Sequence, residues 1–134
     1  MGNRCGILLK GVSEEITPDT PVIYLHWNGG LASVKAFLRA GKYFGVRCGQ
    51  YGSARLVQII GNFFGGTLSL GVEPFINLKH WNEDNGLYVV ENWKIINQHN
   101  KPSYGNETDL KKTKGILKHL IKINRQFFNG DKAR

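Results

Sequence analysis

Residues 24–38, YLHWNGGLASVKAFL, place His26, Trp27 and Asn28 at the end of an apolar run and follow them with Gly29 and Gly30. A plain strand-to-helix connection needs one glycine and no aromatic. Two glycines let the backbone approach a ligand closely, and a helix starting there offers unpaired N–H groups at the positive end of its dipole. That combination suits a phosphate or a carboxylate, with Ser33 completing a strand–NGG–x–x–Ser–helix pattern. The same residues also fit a glycine turn holding a core tryptophan and a hydrogen-bonded histidine.

A second set lies at Arg55, Gln58 and Asn62, spaced i, i+3 and i+7, so the three share one stripe of a helix. The rest of that segment is apolar nearly all round, and polar groups on a buried helix need partners. A guanidinium fork suits phosphate or carboxylate, and two amides suit base edges or sugar hydroxyls. The alternative is a solvent face, although Lys and Glu, which usually fill one, do not occur there. Tyr51 just ahead of this helix, and Asn3 and Arg4 at the start of the chain, would add an aromatic wall and a second cation.

The elements that must carry these residues are legible from period and punctuation. Residues 3–10 predict a first strand and 21–28 a buried, β-branched one. From Leu31 the apolar residues recur at helical spacing up to about Gly41. Residues 53–64 predict a second helix, with Ser53 as N-cap and Gly65-Gly66 as its stop. TLSLGV is a strand closed by Pro74, and LYVVENWKIINQ reads as two strands turning at Glu91-Asn92. A last helix is predicted from Asn106 to Phe128, capped by Asn106 with Glu107 and Asp109, and stopped by Asn129-Gly130. Strands and helices without regular alternation indicate a single α+β domain. Its expected form is a small, mainly antiparallel sheet with two central helices over residues 1–105, and a basic amphipathic helix over 106–134 packed on the same domain.

Composition narrows the function. The chain has 134 residues and a net charge of +8. Residues 1–100 carry nine Lys and Arg against seven Asp and Glu, whereas residues 101–134 carry nine against three, so the basic character belongs to the tail. Lys111, Lys112, Lys114, Lys118, Lys122 and Arg125 lie largely opposite the apolar seam of the last helix, as a solvent face or as a surface for polyanions. No apolar run is long enough to span a bilayer, and the N-terminus does not read as a signal peptide. Cys5 and Cys48 read as reduced thiols, and with four scattered histidines they make no metal-ligand spacing. No cofactor is expected. His26 or His80 could act as a base, but no serine or cysteine stands in a nucleophile's context, so catalysis has no support. Trp81 and Trp93 are read as core or partner contacts, and Glu83-Asp84 as a solvated turn.

Taken in order, Asn3-Arg4, YLHWNGG, ARLVQIIGNFFGG, LSLGV and DNGLYVVENW make residues 2–97 resemble a family of small uncharacterised proteins of bacteriophages and mobile elements. The resemblance implies a setting, a phage-type product in the host cytoplasm, where such proteins counter host defence. Two functions are expected from it. One is a binding protein that sequesters a phosphate-bearing nucleotide, possible as a host immune signal. It would use Asn3, Arg4, His26, Trp27, Asn28, Gly29, Gly30, Ser33, Tyr51, Arg55, Gln58 and Asn62. The other is an inhibitor that grips a host defence protein or nucleic acid through the lysine-rich helix. Neither needs a membrane, and a homo-oligomer enclosing the ligand stays open.

Overall fold

Cys5–Lys10 forms strand β1 and sends Cys5, Ile7 and Leu9 to one side of a sheet and Leu8 to the other, as the twofold period of a strand requires. Leu87–Glu91, strand β4, divides in the same way: Tyr88 and Val90 go with the first set, Leu87 and Val89 with the second. Both strands are therefore buried on both faces and read as continuous apolar runs. In the computed structural model, which describes residues 3–65, 69–77, 84–99 and 110–132, these two strands pair in parallel at the centre. Antiparallel neighbours complete a mixed sheet in the order β3-β2-β1-β4-β5, with β2 Pro21–Leu25, β3 Leu70–Pro74 and β5 Lys94–His99.

Helices α1 (Leu31–Tyr43), α2 (Gln50–Phe64) and α3 (Leu110–Lys132) cover the face that carries Cys5, Ile7, Leu9, Tyr88 and Val90. α1 is the central one, with Val34, Ala36, Phe37, Leu38 and Ala40 buried. Thr113 of α3 donates to the carbonyl of Ala32 at 3.0 Å, and Phe128 stacks on Phe44 with ring centroids 4.6 Å apart. α3 thus lies parallel to α1. α2 packs against both and is tied to α3 by Asn62, whose amide donates to Asn124 Oδ1 at 2.6 Å. The opposite face of the sheet is packed by Ile16, Tyr24 and Phe75. The fold is the expected α+β, with three helices and five strands among the described residues.

Several boundaries differ from expectation, each for a local reason. The second strand stops at Leu25, and Asn28 takes a left-handed φ of 60°, so Tyr24, His26 and Asn28 do not share a strand face. α2 begins at Gln50 after Gly49, whose φ is 100°, and Ser53 sits inside the first turn with its hydroxyl donating to Gly49 O. The β4–β5 turn is Asn92-Trp93, one residue later than Glu91-Asn92, with φ of 52° and 62°. Packing draws the turn there: the Trp93 ring lies where a Cβ on Gly41 would have to stand, and Nε1 donates to Val46 O at 2.7 Å. The backbone of α3 continues through 129 and 130 to Lys132, since a single glycine costs a helix only about 1 kcal/mol. The expected caps Asn106, Glu107 and Asp109, and His80, Trp81 and Glu83, lie outside the described residues. Cys5 and Cys48 are both free thiols.

Candidate functional site

The register places three loops at one end of the sheet. Cys5 pairs with Leu25, and Gly6 with Leu87, so the residues before β1, after β2 and before β4 all emerge together. Backbone bonds stitch them: Asn3 N–H to His26 O at 2.9 Å, Gly29 N–H to Asn3 O at 2.7 Å and Asn85 N–H to Arg4 O at 3.1 Å. The Arg4 N–H and Nε both donate to one oxygen of Asp84, at 2.9 and 3.0 Å. Asn85 donates its side-chain amide to Asn3 Oδ1 and to Arg4 O, and Gln98 of β5 donates to Asn85 O at 2.8 Å.

Gly29 is required by this closeness. A Cβ there would stand 2.6 Å from Asn3 O and 2.7 Å from the Arg4 carbonyl carbon, which are backbone atoms with no room to yield. Tyr88, fully buried, holds the loop from below by donating its hydroxyl to Gly29 O at 2.9 Å. Burial pushes that phenol far above its ordinary pKa, so it remains a donor. At Asp84 the backbone N–H of Arg4, with its guanidinium, holds the carboxyl below its ordinary value, and the charge of His26 adds to this.

The first turn of α1 opens on this cluster. Gly30 is its N-cap, no side chain caps it, and it carries no acidic residue. The first intrahelical bond runs from Val34 N–H to Gly30 O, which leaves the N–H groups of residues 31–33 without intrahelical acceptors. Earlier in the same loop, His26 Nδ1 shares a hydrogen bond with the Tyr24 hydroxyl at 3.0 Å, which leaves Nε2 for other partners. Trp27 stands edge-on to His26 and is 46% exposed, so it is a surface aromatic and not a core one. Asn28 reaches over to Ser33 Oγ at 3.3 Å. Ser33 is buried and so engaged, and burial pushes the nearby Cys5 thiol up, away from the thiolate; neither is prepared as a nucleophile. The arrangement offers N–H donors, an imidazole and an indole face, which are means of binding.

Of the residues expected to line a site, Asn3, Arg4, His26, Trp27, Asn28, Gly29, Gly30 and Ser33 meet here. Tyr51 and Arg55 do not. Gly49, where α2 begins, abuts Gly11 at the other end of β1, so the start of α2 stands at the opposite end of the sheet. There Arg47 lies over the Tyr51 ring at 5.2 Å, and Arg55 is exposed, donating to Gln58 Oε1 at 3.0 Å. Asn62 is turned to Asn124. The stripe on α2 therefore divides between an exposed pair and a helix–helix contact.

Asp84, Asn85, Tyr88 and Gln98 belong to the cluster and were not among the expected site residues. The DNG at 84–86 carried a turn signal, but only the pairing of β1 with β4 joins it to Asn3 and Arg4. Among the described residues no group of three or more His, Cys, Asp and Glu could hold a metal, and no helix is long and apolar enough to cross a membrane. No protein-family model, curated protein or solved structure matches the chain.

Proposed function

We propose that the sheet-end cluster binds a small phosphate-bearing ligand of nucleotide type and withholds it without altering it. The observation that carries this reading is the uncapped start of α1, at the end of the loop that carries the His26 imidazole and the exposed Trp27 indole. Phosphate would accept from the N–H groups of the first turn and from His26, and a base would lie on Trp27. Arg4 acts through the cluster: its bonds to Asp84 anchor the segment whose Asn3 holds the loop that presents those groups. In the phage-type setting that the sequence resembles, the ligand would be a host immune nucleotide and the role anti-defence, in the host cytoplasm.

Calorimetric titration with cyclic dinucleotides and ADP-ribose-derived signals, followed by analysis of the recovered ligand, tests the proposal. Saturable binding with the ligand returned unchanged is expected. Trp27→Ala should weaken it by about fivefold to 150-fold, as the loss of one base stack of about 1–3 kcal/mol implies. A chemically altered ligand would make the protein an enzyme, and silence across the panel would remove the immune-nucleotide reading.

A further inference from the structure

Away from the sheet end, the face built by α1, α3 and β5 gathers cations. Lys35, Arg39 and Lys42 follow one another at i, i+4 and i+7 along α1, and with Lys94 of β5 they ring a hollow of about 320 Å³ floored by Leu38, Trp93 and Ile95. On the other flank of α1, Lys114, Lys118, Lys122 and Arg125 recur along α3 at about one per turn. They border a hollow of about 600 Å³ floored by Tyr43, Leu117 and Ile121. Because α1 and α3 run parallel and in contact, the two rows of cations lie side by side.

Among the described residues no acidic side chain lines either hollow. Glu14, Glu15 and Asp19 belong to the loop whose Ile16 packs on the far face of the sheet, Glu73 lies on β3 at the edge opposite β5, and Asp84 is held by Arg4 and Glu91 by Lys10. The charge of the described residues is thus segregated, and eight neighbouring cations repel one another to the cost of the fold. A partner that repeats negative charge along its length would relieve that repulsion. The floor adds a second requirement, since Tyr43 is 48% exposed and lies with Leu117 and Ile121 beside the α3 row of cations. A duplex keeps its bases stacked inside; a single strand can turn one onto Tyr43.

We infer that this face binds single-stranded nucleic acid, its lysines and arginines along the phosphates and Tyr43 against a base. The contacts are mostly to lysine, so they track the backbone and read no sequence. This surface is separate from the sheet-end cluster, and either can be lost without the other.

The test is fluorescence anisotropy of the full chain with a labelled oligo(dT) 15-mer, from 50 to 200 mM salt. Affinity should fall by about 10²–10³-fold over that range, as expected for roughly five to seven phosphates neutralised on a single strand. Lys118→Glu/Lys122→Glu should weaken binding by at least about tenfold and flatten the salt slope. Tyr43→Ala should weaken it and leave the slope alone. Arg55→Glu/Lys112→Glu, which changes net charge equally, should stay within about threefold of the parent. All these side chains are at the surface, and an unchanged helical circular dichroism spectrum confirms the fold of each variant. No binding at 50 mM salt, equal losses in both charge-reversal variants, or equal affinity for a duplex of the same length would overturn the inference.

Discussion

Asp84 and Gly29 show how closely individual side chains are specified at the sheet end. Because Arg4 holds the Asp84 carboxyl below its ordinary value of 3.8, the folded state binds this proton more weakly than the unfolded chain does. The stabilisation is complete above the unfolded pKa and is lost as pH falls through the folded one. Thermal melts from neutral pH downward should therefore show an acid-side loss that Asp84→Asn reduces. At Gly29 a Cβ would collide with the backbone of Asn3 and Arg4, whereas at Gly30 the nearest atom is Asn3 Nδ2 at an ordinary 3.5 Å. Gly29→Ala should cost about 1–3 kcal/mol or more in urea unfolding, and Gly30→Ala much less. Both glycines stand out in the sequence, but only the first is demanded by contact.

The β4–β5 hairpin and the helix layer hold each other in place. Trp93 occupies a left-handed turn position that costs a bulky residue of order 1–3 kcal/mol, and its packing beneath Gly41 and Gly52 maintains it there. Trp93→Ala should lower stability by about 3–5 kcal/mol, read by chemical denaturation. The join between α2 and α3 is polar: Asn62 donates to Asn124, which is fully buried and donates in turn to Leu120 O. Asn62→Ala removes one of those partners and should cost about 1–3 kcal/mol, of which Asn62→Ala/Asn124→Leu recovers part. The period of residues 53–64 announced a helix, and a stripe needing partners was legible on it. That one partner would be an amide of α3, far along the chain, was not.

The molecule as a whole keeps its two polar specialisations apart, with the sheet-end cluster on loops and the cations on the helix side and β5. Arg55, at the opposite end of the sheet from His26, should contribute nothing to the proposed nucleotide binding; titration of Arg55→Ala against the parent checks this and should give affinities within about twofold. The lysine row of the last helix was readable from charge and period, since both are local. So were the number and kind of the elements and the departure at HWNGG from a simple turn. Which residues share a site was not local. Asn3 and Arg4 meet Asp84 and Asn85 because β1 pairs in parallel with β4, a choice set by burying two largely apolar strands at the centre of the sheet. α2 carries Arg55 away from the glycine loop because it runs antiparallel to α1. The second row of cations, on α1, becomes part of a surface only when α3 packs alongside it. Periodicity records what each segment must bury. Register and helix direction, decided by how those buried faces fit one another, determine which polar groups are left together.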